Sequence, residues 1–203
     1  MKIKIDSNLL TKIWVTSDTH AYHKNICQGS THWDLNNSEF KLRPFKDEFE
    51  MTEQMVENFN HLIQPNDILI HLGDWSFGGQ DKVEMFRKQL NVKNIYLVTG
   101  NHDEHISKGK WNHLFTSVSS ELKFEVSGFK FHCYHHPILS WDGIRKGIFH
   151  LHGHQHLQGD LRFGNGRMMD VGVDGNDLEP YRLIDVIELL KDRRFVAEND
   201  HHV

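Results

Sequence analysis

ILIHLGD, residues 68–74, decides how the chain is read. A short apolar, β-branched run, Ile68-Leu69-Ile70-His71-Leu72, stops abruptly at Gly73-Asp74, the pattern of a strand ending in a polar loop. The same pattern lies upstream, where Ile13-Trp14-Val15-Thr16 stops at Ser17-Asp18, and downstream, where Ile95-Tyr96-Leu97-Val98 stops at Gly100-Asn101-His102-Asp103. Between the first two runs, Phe49, Val56, Phe59 and Ile63 recur at helical spacings from Asp47 until Pro65-Asn66. Between the second and third, Val83, Phe86 and Leu90 mark an amphipathic helix over 81–90. Strand, helix, strand, helix, strand predicts a parallel α/β sheet, whose sites lie beyond the carboxyl ends of its strands.

The second half reads differently. Leu122, Phe124 and Val126 alternate, Ser127-Gly128 turns the chain, and Phe129, Phe131 and Cys133 alternate again, which predicts a hairpin. Ile148–Leu151 is a further strand. Residues 161–163 and 167–173, joined through Gly164-Asn165-Gly166, read as a second hairpin, and Leu183–Leu190 as a closing helix. Residues 21–46 form a long connection with little periodicity. No internal repeat, low-complexity tract or linker interrupts the chain, so one domain is expected over 1–203.

The 203 residues carry a net charge of −5 and 17 histidines. That balance gives no global basic footprint, so long nucleic acid is not an expected partner. The N-terminus has no apolar signal region, and no apolar run approaches the ~20 residues needed to span a bilayer. A cytoplasmic protein without a membrane partner is expected, with Cys27 and Cys133 as free thiols. No sequence feature specifies an oligomeric state.

The strand-end loops gather an unusual set of residues: Asp18 and His20; Asp74; Asn101, His102 and Asp103; His135 and His136; His154 and His156. An aspartate after a strand is ordinarily a cap or a turn residue. Histidine forms neither, and its recurrence in successive loops calls for another reason. Carboxylates, imidazoles and an amide without a thiolate suit borderline divalent ions such as Mn, Fe, Zn or Ni.

At these positions the chain resembles the calcineurin-like metallophosphoesterases. DTH (18–20), GD (73–74), GNHD (100–103), HHP (135–137) and GHQH (153–156) match, in order, the family's D-x-H, GD, GNH[DE], H and GH-x-H motifs, and the likeness spans roughly residues 12–190. SDTHAYHKNI, RPF at 43–45, HLGDWSF, YHHPILSW and DVGVDGNDLEP resemble a compact bacterial and phage branch. The resemblance implies a four-layer α/β/β/α sandwich and two divalent ions, manganese first. It implies that Asp18, His20, Asp74 and His156 hold one ion, and Asp74, Asn101, His135 and His154 the other. A hydroxide bridging the pair would attack phosphorus. His102 would protonate the leaving alkoxide or stabilise the transition state, Asp103 would orient His102, and the Asn101 amide would meet a phosphate oxygen.

Departures narrow the subgroup. GDWSFGG lacks the Arg of the GDxxDRG motif found in Ser/Thr protein phosphatases, and Phe77 stands where purple acid phosphatases carry a Tyr ligand. The expected activity is hydrolysis of a nucleotide-like phosphodiester, with a small phosphomonoester as the alternative. A non-catalytic metal-binding module is the reading from another class, and the complete ligand set argues against it.

His23 and Arg43 are candidate substrate contacts from the loop over 21–46, which would then act as a lid. Trp33, Phe40 and Phe45 are expected to dock that loop on the core, and Trp141 and Arg145 are further candidates near the site. His71 is expected as a buried, hydrogen-bonded support. In HLHGHQH, residues 150–156, Gly153 ends the strand. His154 and His156 are then ligands, and His150 and His152 supports beneath them.

Overall fold

The computed structural model describes residues 1–28 and 42–196. Its strands are β1 (Lys2–Lys4), β2 (Ile13–Thr16), β3 (Ile68–His71), β4 (Asn94–Val98), β5 (Ser117–Ser119), β6 (Leu122–Val126), β7 (Phe129–Cys133), β8 (Phe149–His152), β9 (Met168–Asp170) and β10 (Tyr181–Arg182). The α-helices are α1 (Lys24–Gln28), α2 (Glu48–Leu62), α3 (Gln80–Gln89), α4 (Glu104–Ser107) and α5 (Leu183–Leu190).

The first sheet has the order β10-β2-β3-β4-β5. Strands β2 to β5 are parallel, with Ile13 opposite Ile68 and Ile68 opposite Asn94. Helices α2 and α3 are the crossovers between them. The second sheet, β1-β6-β7-β8-β9, contains the expected hairpin, with Leu122 opposite Cys133, and then continues in parallel through β8 and β9.

The central strands are apolar on both faces because both faces are covered. Trp14, Leu69, Ile95 and Leu97 point toward Met51, Met55 and Phe59 of α2 and Val83 and Phe86 of α3. Ile13, Val15, Ile68, Ile70 and Val98 point the other way, into a core shared with Phe124, Phe131, Phe149 and Leu151 of the second sheet. The α5 side chains Leu183, Val186, Ile187 and Leu190 enter that same core. Asp47 caps α2 by accepting hydrogen bonds from the N–H groups of Phe49 and Glu50.

The mixed α/β class expected from the sequence is present as helices, sheet, sheet. The outer face of the second sheet carries no α-helix among the described residues. Lys123, Glu125 and Lys130 point outward there, and the segment containing Trp141 and the turn Ile144–Lys146 covers β8.

Several local expectations are corrected. The buried stripe of α2 is Met51, Met55 and Phe59, whereas Phe49 is exposed, with the Lys82 ammonium over its ring. The second hairpin reduces to one antiparallel bridge between Phe163 and Met169, because residues 159–162 form a 3-10 turn and β9 pairs with β8 in parallel. β1 and β5 are additional short strands. Phe45 packs partly buried against the helix-side core, as expected; Trp33 and Phe40 lie outside the described residues. Both cysteines are buried free thiols. No helix among the described residues is long and apolar enough to cross a membrane.

Candidate metal centre

The loops leaving β2, β3, β4, β7 and β8 meet at one edge of the sandwich. They turn sharply: Asp18, His20, Asp74, His154 and His156 all have left-handed backbone, at φ 57°, 44°, 57°, 72° and 51°. Each such non-glycine position costs of order 1–3 kcal/mol and persists only where its surroundings impose it. Backbone ties between loops do so here. The N–H of Asp18 donates to Gly73 O and that of His20 to Asp74 O, both at 2.9 Å. His71, buried beneath them as expected, engages the Thr19 hydroxyl through Nε2 and accepts from Gly73 N–H at Nδ1.

Two carboxylates are aimed by the same device. Asp18 Oδ2 accepts the N–H of His154, and Asp74 Oδ1 accepts that of His102, each at 2.9 Å. Each bond leaves the second oxygen facing imidazoles. Asp18 Oδ1 lies 3.9 Å from His20 Nε2 and 3.7 Å from His156 Nε2. Asp74 Oδ2 lies 3.4 Å from both His20 Nε2 and His135 Nε2. Glycine is required beside each: a Cβ on Gly100 would fall 2.2 Å from Asp74 Oδ1, and one on Gly153 would fall 2.1 Å from Asp18 Oδ2.

The donor set fits divalent cations. Asp18 Oδ1 is buried without a hydrogen-bond partner, an arrangement that ordinarily costs free energy. His135 donates through Nδ1 to Leu72 O at 2.7 Å, which leaves Nε2 as a lone pair 3.0 Å from Asn101 Oδ1. His154 Nδ1 faces the same oxygen at 3.0 Å. With both imidazoles neutral and their lone pairs turned here, a cation among these three atoms would be met by all of them. Burial would lower the His135 pKa, yet contact with Asp74 and the Asp18 charge lift it to about 9. At the other cluster, burial pushes Asp18 up, and burial together with His156 and Arg43 pushes His20 well down. Asp18, His20 and His156 thus form one group of metal-capable atoms, and Asp18, Asp74 and His135 another.

Residues 11–165 match the family model of the calcineurin-like phosphoesterases. The chain belongs to the calcineurin-like phosphoesterase family. It is 27% identical over 195 residues to an uncharacterized protein of Methanocaldococcus jannaschii, covering 92% of this chain and 96% of that one. A solved structure of a protein of unknown function from Aquifex aeolicus shares the fold, with a TM-score of 0.65 at 21% identity, over 88% of this chain and 98% of that one.

All the positions that this phosphoesterase was expected to use for metal, Asp18, His20, Asp74, Asn101, His135, His154 and His156, lie together at this edge. His102 is beside them, its ring centroid 5.4 Å from that of His20 and 5.5 Å from that of Phe77. His23 stacks on Phe77 at 4.0 Å, its ring centroid 5.4 Å from that of His20. His150 and His152 are buried beneath it. His150 accepts from the Ile138 N–H at Nε2 and donates from Nδ1 to His132 O, while His152 Nδ1 donates to Gly153 O.

Four expected roles are corrected. Asp103 does not orient His102: its oxygens accept the N–H groups of Asp74, Trp75 and Gly100 at 2.8, 3.0 and 2.9 Å, and it is fully buried. It shapes the loop instead. Arg43 is no substrate contact, since its guanidinium is buried in a two-pronged ion pair with Asp174. Trp141 is also turned elsewhere, donating to Ile148 O and packing on His150; Arg145 lines a separate cleft with Lys146, Arg167 and Arg193.

Two participants escaped the sequence reading of their roles. His136 forms a third metal-capable group with His135 and His154, and only its place beside His135 hinted at this. Asp174 accepts from His156 Nδ1 at 2.6 Å. Its signal was the stretch DVGVDGNDLEP, which carried the resemblance without assigning Asp174 a role.

Proposed function

We propose that the chain is a dinuclear metal-dependent phosphodiesterase acting on a nucleotide-like phosphodiester, with a small phosphomonoester as the alternative substrate. The observation that carries the reading is Asp74 Oδ2, which stands equidistant between the two imidazole groups, 3.4 Å from His20 and from His135. Asp74 so placed would help to hold two cations, with Asp18, His20 and His156 completing one position and Asn101, His135 and His154 the other. Two divalent ions, manganese first and Fe, Zn or Ni as alternatives, would supply a water of lowered pKa and neutralise the charge on the attacking and leaving oxygens.

The remaining work falls to side chains. His135 and His156 present Nε2 because their Nδ1–H groups are engaged by Leu72 O and the Asp174 carboxylate. Asn101 turns its amide oxygen inward and keeps its NH₂ for a phosphate oxygen. His102, exposed and anchored through its N–H on Asp74, is the group able to give a proton to a leaving alkoxide. His23 and Phe77 form the adjacent aromatic wall. The exposed Asn101, His102 and His154 side chains suit a diester, both of whose substituents need room.

The test is a leaving-group comparison. His102→Ala is expected to slow hydrolysis of a diester with an alkyl-alkoxide leaving group by about 10²-fold or more, and of bis-p-nitrophenyl phosphate far less. Equal losses on both would remove the proton-donor role.

A further inference from the structure

Behind the metal-capable residues lies a buried ion pair that touches two of the loops carrying them. The side chains of Arg43 and Asp174 are both buried, and they meet through two bonds of 2.8 Å, Nε to Oδ1 and Nη2 to Oδ2. The guanidinium has further donors, and they reach the DTH loop. Nη1 donates to Thr19 O at 2.7 Å, and Nη2 to Asp18 O at 2.6 Å. On its far side Asp174 Oδ2 takes the Nδ1–H of His156. One ion pair therefore fixes the carbonyls flanking Asp18 and His20, in a loop held at left-handed φ, and also fixes the ring of His156. Only an arginine has the planar fork for this, since a lysine offers a single point of charge.

The Asn101, His135 and His154 side lacks such a support. Among the described residues, His135 Nδ1 is held by a backbone carbonyl, Asn101 Oδ1 meets only the His135 and His154 rings, and His154 adds a ring contact with His136 at 4.3 Å; no ion pair stands behind these three. Asn101 and His154 are exposed, whereas Asp18, His20 and His156 are buried.

We propose that the Arg43–Asp174 pair is the positioning device of the enclosed metal position, and that this position binds a divalent ion more tightly than the open one. Preorganised ligands lose less freedom on binding, and a carboxylate behind a ligating imidazole raises its basicity. The proposal rests on the dinuclear reading above.

The experiment is a calorimetric titration of chelator-treated protein with Mn²⁺ alone, with bound Mn²⁺ counted independently by electron paramagnetic resonance. Wild type is expected to show two binding classes at least tenfold apart. Asp174→Asn and Arg43→Lys are each expected to weaken the tight class by about 10- to 100-fold and leave the weak class in place. A double variant, Arg43→Met with Asp174→Leu, separates positioning from stability. It removes both buried charges together, so its melting temperature in chelator is expected to recover relative to Arg43→Met, while tight binding does not. Two equal classes in wild type, or an unchanged tight class in the variants, would overturn the proposal. So would tight binding that returns with stability in the double variant. No Mn²⁺ bound at either class would instead refute the dinuclear reading itself.

Discussion

Asp74 and Asp103 are carboxylates set against the same turn, and their neighbours give them opposite tasks. Asp103 is surrounded by backbone N–H groups that satisfy it completely. Asp74 gives one oxygen to the His102 N–H and turns the other toward two imidazoles. Burial works to raise the Asp74 pKa, but contact with His135 and the His102 N–H hold it below the usual carboxylate value, so it is charged at neutral pH. Asp74→Asn is accordingly expected to reduce bound Mn²⁺ per chain as well as turnover; unchanged stoichiometry by elemental analysis would count against a shared carboxylate. Asp103→Asn is expected to act on the fold. Losing charged acceptance of backbone N–H groups costs about 2 kcal/mol in urea unfolding, with the leaving-group dependence that reports on His102 kept. A selective loss on poor leaving groups would restore Asp103 as the partner of His102. The residue types in GNHD were legible in the sequence. Which atom each would spend on what was not, because the N–H groups that claim Asp103 come partly from the turn after β3.

At the scale of elements, the parallel strands were the most legible because they are covered on both faces and read as unbroken apolar runs. The α2 helix was legible in place but not in detail: Phe49 has the right spacing but sits exposed, while the less conspicuous Met51 and Met55 fill the core. The second hairpin misled because Gly164-Asn165-Gly166 is a good turn signal, whereas the strand following it is captured by β8. HLHGHQH divides at Gly153 as the sequence suggested. The reason is steric as much as conformational, since the carboxylate of Asp18 lies where a Cβ would be. Gly100→Ala tests the equivalent contact at Asp74. Its Cβ must displace the carboxylate or the loop, so a stability loss of about 1–3 kcal/mol together with reduced Mn²⁺ binding is expected. A variant matching wild type in both the melt and the titration would show that this close approach is unimportant.

At the scale of the molecule, the described histidines of this edge fall into two electrostatic settings. His20, His135 and His156 face carboxylates, whereas burial beneath the site lowers the pKa of His71, His150 and His152 and keeps them neutral. His150 is the clearest of the second kind. Its Nε2 already accepts an N–H, so protonation there would set donor against donor, and burial lowers its pKa to about 3. The sign follows: between the ordinary value of 6.5 and about 3 the unfolded chain binds the extra proton, so stability present above pH 6.5 is lost as the pH falls. At pH 5 this single group accounts for roughly 2 kcal/mol. Urea unfolding of chelator-treated protein is expected to show a loss from pH 7.5 to 5 that is smaller by that amount in His150→Gln; equal losses would exclude His150 as the source. Bound cations oppose such acid loosening by adding their binding free energy to the folded state. Metal content and turnover can be followed in a single preparation. Purified protein is stripped with chelator, reloaded with Mn²⁺, and followed for ions per chain and hydrolysis of bis-p-nitrophenyl phosphate. Two ions per chain are expected, with hydrolysis abolished by stripping and restored by Mn²⁺; full hydrolysis by the stripped protein in the presence of chelator would contradict metal-dependent hydrolysis at this site.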